Sequence, residues 1–312
     1  MGTENMEQVI IYGAGARGKG IYQFFANYGK EDAIAGFCDV NHEQLPALNG
    51  KKVMSFAEAS GCGLPFLISI TDTDVDAVIQ MIEKQNGQWL RLDDMAGFFG
   101  KDRVSFNRDF CAFFHINGMD GYFTSAEGML EGFWWEGSPF LKKFEKLNLE
   151  NVIELACGRG RHVPRYLHKA GKVTLVDILE ENIAACRNRF QTEQNISYYR
   201  NNGYNLEKLA SEEYTALFCY DAMVHFEMMD IYEYLKDIYR VLVPGGMAVL
   251  HHSNNTADYK ASFANAPNGR SFMSKELFAY LAYRAGFEVV EQEVIDWGVQ
   301  NLDCISLVRK AK

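Results

Sequence analysis

ELACGRGRH, residues 154–162, decides the fold of this chain. An apolar run at residues 152–156 has the look of a strand, and a tight glycine turn then opens a helix. Gly158 and Gly160 lack the β-carbon that would hold a ligand away from the backbone, and the free amides of a helix start can bond it. Asp177 ends the next apolar run, residues 172–176. An acid at that strand tip is placed to accept hydrogen bonds from ribose hydroxyls. The combination holds a nucleoside. Further on, RVLVPGGMAVLHHSN (residues 240–254) supplies a helix end, a Pro-Gly-Gly turn and another apolar strand.

These three pieces resemble the class I S-adenosylmethionine-dependent methyltransferases, over residues 147–312. The family pattern, an acid followed by small residues ending Gly-x-Gly, is met by Glu154, Ala156, Cys157, Gly158 and Gly160. Ala156 stands where the family has glycine. The resemblance implies S-adenosylmethionine as cofactor, bound by Glu154, Ala156, Gly158 and Gly160, with its methionine part beside Glu154 and Gly158 and its ribose at Asp177. It puts the adenine against Ile178 and the turn of Asn202 and Gly203. Most members carry aspartate at the position of Asn202, whose oxygen is expected to bond the adenine amino group. The segment ALFCYDAMVHF (residues 216–226) reads as the fourth strand, ending at a cofactor and substrate edge lined by Tyr220, Asp221 and His225, with Tyr220 and Asp221 expected on the cofactor, since ligands sit at such strand ends.

The C-terminal part supports the same architecture. MSKELFAYLAYRAG (residues 273–286) is an amphipathic helix stopped by glycine, and two strand runs, residues 287–295 and 303–308, follow it. An antiparallel hairpin there separates a methyltransferase sheet from an ordinary dinucleotide fold. The loop at residues 254–270 is polar and long, suited to acceptor contacts or to mobility alone.

The first hundred residues repeat the strand-turn-helix theme. VIIYGAGARGKG (residues 9–20) places Gly13, Gly15 and Gly18 in G-x-G-x-x-G spacing. A helix at residues 19–28 and a strand at 33–38 lead to Asp39, the position of a ribose-binding acid. A strand at 65–70 and a helix at 74–85 complete a small parallel sheet. The module resembles the Rossmann-like modules attached to sugar-modifying enzymes of surface-polysaccharide synthesis, which implies a nucleotide or nucleotide-sugar ligand. The structural alternative is that its glycines only let helix and strand pack closely.

The expected fold class is therefore α/β. A C-terminal Rossmann-like sheet, mostly parallel with an antiparallel hairpin (residues 147–312), joins a smaller N-terminal Rossmann-like domain (1–98) through an aromatic-rich linker and cap (99–146). Within that cap Tyr122, Trp134 and Trp135 are candidates for lining the acceptor pocket. The paired tryptophans cannot both face inward on a helix. Packing between domains is the plainer use of such rings.

If the acceptor is a hydroxyl, a base must take its proton. His225, directly after the fourth strand, is the first choice and His252, at the end of the fifth, the second, with His251 alternating to the opposite face. His162, in the first turn after Gly160, reads as neutral and packed, since a helix N-terminus disfavours a cation. No run of residues shows metal-ligand spacing, so no metal is expected.

Length alone argues for two domains: 312 residues exceed the size at which one core stops growing. A net charge of −10 argues against a nucleic-acid partner. Seven cysteines without a CxxC pair, among them Cys38, Cys157, Cys219 and Cys304 in apolar runs, suit reduced thiols of a cytoplasmic protein. The polar, acidic residues 1–8 do not read as a signal peptide, and no apolar run spans a bilayer. The expected partner is a small-molecule substrate, with self-association left open.

The expected function is methyl transfer from S-adenosylmethionine to a small molecule, a sugar or nucleotide-sugar hydroxyl, in polysaccharide biosynthesis. The alternatives are an NAD-dependent oxidoreductase or epimerase using the turn at Gly13, which lacks a Tyr-x-x-x-Lys dyad, or a non-catalytic nucleotide-binding protein.

Overall fold

Two sheets form, each with its own core. The computed structural model describes residues 8–71, 74–117 and 121–312, so the expectation about the first seven residues lies outside the described residues. The chain divides into one unit of Met1–Tyr122 with Ser262–Gly269 and another of Phe123–Ala261 with Arg270–Lys312. It thus passes between units three times along its length.

In the first unit, β1 (Val9–Tyr12), β2 (Ile34–Cys38), β3 (Ala47–Leu48), β4 (Lys51–Met54), β5 (Phe66–Ile68) and β6 (Trp89–Leu90) lie in the order β3-β4-β2-β1-β5-β6. All neighbours are parallel except β3 and β4. The strands read as apolar runs because a parallel sheet is covered on both faces. The helix after β1 is Ala16–Asn27, three residues earlier than its expected start, because the Lys19 amide already bonds the Gly15 carbonyl. Its Ile21, Phe24 and Phe25 enter a core that also takes Phe106, Phe110 and Phe114 from the helix Arg103–Asn117, and Phe263 from the returning segment.

In the second unit, β7 (Asn151–Leu155), β8 (Lys172–Asp177), β9 (Ile196–Arg200), β10 (Tyr214–Cys219), β11 (Leu242–Ser253), β12 (Phe287–Ile295) and β13 (Asp303–Lys310) are ordered β12-β13-β11-β10-β7-β8-β9. The five strands from β9 to β11 are parallel, and β13 runs antiparallel to both β11 and β12. The expected hairpin is present. The Pro-Gly-Gly turn is absorbed into β11 as an irregularity: Tyr214 pairs with Leu242 but Ala216 with Met247. One face is covered by the helices Met228–Val241 and Lys275–Arg284, the other by Pro139–Phe144, Val163–Tyr166 and Glu180–Arg189. Ser274 caps the Lys275–Arg284 helix by accepting the Leu277 amide, and Gly286 (φ +105°) ends it.

The aromatic stretch does not act as one cap. Phe106, Phe110 and Phe114 join the first core, whereas Phe133, Phe140 and Phe144 join the second. The division falls at Tyr122, within the expected 99–146 linker. Among the described residues no helix is long and apolar enough to cross a membrane.

Candidate active site

β7 carries Glu154 towards the C-terminal edge of the sheet, and the chain leaves through a turn in which every second residue is left-handed: Ala156 (φ 56°), Gly158 (φ 54°) and Gly160 (φ 72°). That region crowds Cβ against the following carbonyl, so Ala156 is strained where glycine would not be. A Cβ on Gly160 would stand 2.5 Å from Phe190 Cε2, whereas one on Gly158 would meet only Phe123 Cε1 at 3.8 Å. Gly160 is glycine for packing. Gly158 is glycine for its backbone and leaves room above the turn.

Asp177 braces this turn. Its Oδ2 accepts the Gly158 amide (2.9 Å), and its Oδ1 accepts the Leu179 amide (2.9 Å) and Asn182 Nδ2 (3.1 Å). With a further bond from the Ile178 backbone, these donors commit the Asp177 carboxylate to bracing the turn. Burial pushes the Asp177 carboxyl up, against the pull of these donors.

Glu154 is buried. Its Oε2 accepts the Tyr166 hydroxyl at 2.7 Å, while Oε1 has no partner among the described residues. Desolvation pushes this carboxyl up to about 8, with the Tyr166 bond and Arg161 pulling the other way.

At the expected adenine position, Asn202 Oδ1 already accepts the amides of Tyr204 (3.2 Å) and Asn205 (3.0 Å), and the Gly203 amide bonds Asn201 Oδ1. The Ile178 carbonyl accepts Arg200 Nε. The Asn202 oxygen is therefore committed to shaping its own turn, which corrects the expected bond to adenine.

The edge after β10 is more elaborate than its sequence suggested. Asp221 is left-handed (φ 57°). Its Oδ2 pairs with Arg161 Nη2 at 2.7 Å, and its amide donates to His251 Nδ1 at 3.1 Å. A ring nitrogen that accepts leaves the proton on the other, so His251 Nε2 donates to Asp303 Oδ2 (3.1 Å). Arg270 grips the same carboxylate at both oxygens, 3.0 and 2.6 Å. Burial raises the Asp303 carboxyl, and the His251 and Arg270 bonds outweigh it to leave the group below its ordinary value.

Residues 152–246 match the family described as methyltransferase domain. No curated protein matches the chain. Among solved structures it is similar to an S-adenosylmethionine-dependent methyltransferase from Mesorhizobium loti (15% identity, covering 55% of this chain and 97% of that one, TM-score 0.45). It is also similar to one from Clostridium acetobutylicum (15%, 61% and 98%, TM-score 0.46) and one from Methanosarcina mazei (14%, 55% and 97%, TM-score 0.43). The protein is a methyltransferase enzyme, and the family that residues 152–246 match implies S-adenosylmethionine.

Within the methyltransferase domain the glycine turn fits that cofactor. A Cβ on Gly158 would meet only the Phe123 ring, at van der Waals distance, and the buried Glu154 Oε1, without a partner among the described residues, is an acceptor that a ligand donor would satisfy. Phe123 also stands by the turn, with the Arg159 guanidinium 4.0 Å over its ring.

Several expected site residues do other work. His252 is fully buried, stacked on Phe278 (3.9 Å), with Nε2 on Ser306 Oγ (2.8 Å) and Nδ1 on the Ser253 carbonyl (2.9 Å). Burial lowers its pKa to about 3. Both nitrogens are occupied away from the edge, so it cannot serve as the second base. Tyr220 packs between Phe133, Phe140 and His251 (5.0, 4.1 and 4.7 Å) rather than presenting itself to a cofactor. Trp134 turns inward onto Phe140 and Phe144 and donates to His162 Nδ1 (3.0 Å). Trp135 is 56% exposed. Phe133, against Tyr220 and Trp297, is the ring that their helix brings towards the edge. Tyr122 lies edge-on to His115 in the first unit. His162 is buried and held neutral, burial driving its pKa far down. His225 ends the 3-10 turn Met223–His225, half-buried, its carbonyl accepting Ser271 Oγ (3.0 Å).

The N-terminal turn repeats the brace. Asp39 Oδ2 accepts the Ala14 amide (2.7 Å) and Oδ1 the Asn41 amide (2.8 Å). A Cβ on Gly18 would stand 2.0 Å from the Gly13 carbonyl oxygen, and one on Gly13 (φ +103°) would stand 2.6 Å from Ser69 Oγ. Close packing accounts for both. Gly15 alone of the three faces open space. Arg17, in the first turn of the helix, donates to the carbonyls of Phe263 (2.8 Å) and Ala264 and lies over the rings of Phe110, Phe114 and Phe263. Burial pulls its pKa to about 10.

Sequence reasoning missed Arg161, Arg270 and Asp303. A signal existed for Asp303, an acid heading an otherwise apolar strand, but its partner lies 52 residues away.

Proposed function

We propose that the protein transfers the methyl group of S-adenosylmethionine to a hydroxyl of a small molecule, a sugar or nucleotide-sugar, in polysaccharide biosynthesis. The observation that carries the methyl-transfer part is the Asp177-braced glycine turn inside the stretch that matches the methyltransferase domain. The sugar part rests on the N-terminal module's resemblance, with Gly13, Gly15, Gly18 and Asp39 as its second nucleotide site.

When bound, the cofactor supplies a methyl group already activated on a sulfonium, so the chain's main task is alignment, which can supply on the order of 7–11 kcal/mol. Glu154 would lie beside the methionine part of the cofactor, Asp177 would take its ribose, and the turn of Asn202 and Gly203 would border the adenine. Asp221, paired with Arg161, orients the acceptor hydroxyl at the end of β10. His225 takes the proton, an imidazole being able to do so near neutral pH.

Calorimetry with S-adenosylmethionine and with NADH tests the cofactor. Binding of the first supports the reading, and binding of NADH alone replaces it with the oxidoreductase. Labelled methyl transfer to a panel of nucleotide-sugars tests the acceptor class. His225→Ala keeps cofactor affinity and loses about a hundredfold or more in rate. Unchanged turnover removes His225 from the mechanism.

A further inference from the structure

Asp221 is the non-glycine residue at which the edge after β10 turns left-handed, and strain of that kind persists only where surrounding structure enforces it. Behind it stands a hydrogen-bonded chain of three buried side chains. The Asp221 amide donates to His251 Nδ1, His251 Nε2 donates to Asp303, and Arg270 binds Asp303 at both oxygens. His251 and Asp303 are fully buried, and the Arg270 side chain is 4% exposed. Burying an ion pair with a histidine is a poor way to gain stability, since apolar residues of similar volume do as well or better. The arrangement does have one directional effect: it presents a ring nitrogen as acceptor, with its tautomer set, to a single main-chain amide.

We propose that His251 is a positioning residue for methyl transfer. It fixes the left-handed turn at Asp221 and thereby aims the Asp221 carboxylate, with its Arg161 partner, at the acceptor, while Asp303 and Arg270 hold the imidazole in the tautomer that can accept. The proposal rests on the reading of Asp221 as an acceptor-side group. His251 and Asp303, both fully buried, act through Asp221 rather than on the substrate itself.

Two substitutions separate this role from packing. His251→Phe keeps the ring bulk against Tyr220 and Trp297 and deletes the acceptor, while His251→Asn loses bulk but keeps an oxygen near the place of Nδ1. A packing role predicts that the Phe variant outperforms the Asn variant. The positioning role predicts the reverse. His251→Phe transfers label from S-adenosylmethionine into a protein-free extract of host cells about tenfold to a hundredfold more slowly than wild type. His251→Asn stays closer to wild type, and both bind S-adenosylmethionine with wild-type affinity. In crystal structures the turn at Asp221 stays left-handed in the Asn variant and relaxes in the Phe variant.

A Phe variant that transfers as fast as the Asn variant, or that keeps Asp221 left-handed and paired to Arg161, overturns the proposal. If His251→Phe does not fold, adding Asp221→Gly restores folding, because glycine takes the turn unaided. Failure to restore it also overturns the proposal. Should wild type bind no S-adenosylmethionine, the proposed function falls, and the turn geometry in the two variants still decides the role of His251.

Discussion

Glu154 makes stability depend on pH in an unusual direction. Its carboxyl is pushed from an ordinary 4.5 to about 8, chiefly by burial. At about 1.4 kcal/mol per unit, that rise of about 3.5 corresponds to about 5 kcal/mol if the site stays dry, and less if water enters. The folded-state value lies above the unfolded one, so between them the folded protein holds a proton that the unfolded chain has released. The contribution of Glu154 is therefore intact below about pH 4.5 and is lost as pH rises, with its full cost present above about pH 8. Glu154→Gln still accepts the Tyr166 hydroxyl but cannot ionise, so it lacks this decline. Denaturant unfolding at about pH 5 and about pH 8.5 measures the difference, followed by tryptophan fluorescence, since three of the four tryptophans, Trp134, Trp135 and Trp297, lie in the second unit and only Trp89 in the first. The variant should gain several kcal/mol on wild type between the two conditions. Stability curves that run parallel across that range would refute the account of Glu154 as a desolvated acid.

The glycine turn supports a second, paired test. Gly160→Ala should lower stability by about 2–3 kcal/mol, because its Cβ would collide with Phe190, whereas Gly158→Ala should cost about 1 kcal/mol of strain and show its larger effect in the calorimetric affinity for S-adenosylmethionine. Ala156→Gly should leave the unfolding free energy within about 0.5 kcal/mol of wild type, relief of strain offsetting the extra freedom of the unfolded chain, while Ala156→Val at the same φ of 56° should lower it by about 2 kcal/mol. Arg17→Met should speed amide hydrogen exchange at residues 262–269 by about tenfold or more, since it removes the donors to the Phe263 and Ala264 carbonyls; unchanged exchange would mean that the rings alone hold the segment.

Local patterns carried the second sheet well. The alternation and turn signals around DWGVQN place β12 at its observed bounds and β13 at its observed start, because a hairpin is specified by neighbouring residues. The two glycine turns were legible for the same reason. How Asp177 and Asn202 divide their oxygens was not, because the donors that claim them come from backbone amides whose directions depend on the closed turn. The strand alternation shows that His251 and His252 face opposite ways, but which face is the polar edge depends on Asp303 and Arg270, far along the chain. The aromatic stretch failed as a sequence signal because a phenylalanine does not encode which core it joins. The polar loop at 254–270 concealed Phe263 and Ala264, which are core residues of the first unit.

That borrowed segment bears on how the protein is made. When the first 122 residues have been synthesised, the rings of Phe110 and Phe114 and the guanidinium of Arg17 still lack the Phe263 ring and the carbonyls that complete their surroundings. The N-terminal core can close only after more than a hundred further residues have emerged, a long loop closure of the kind that slows folding and leaves apolar surface open to aggregation or proteolysis. A chain cut short before Phe263 would keep that surface bare. The unit that begins the chain is thus completed by residues 262–269, which are made long after the rest of it.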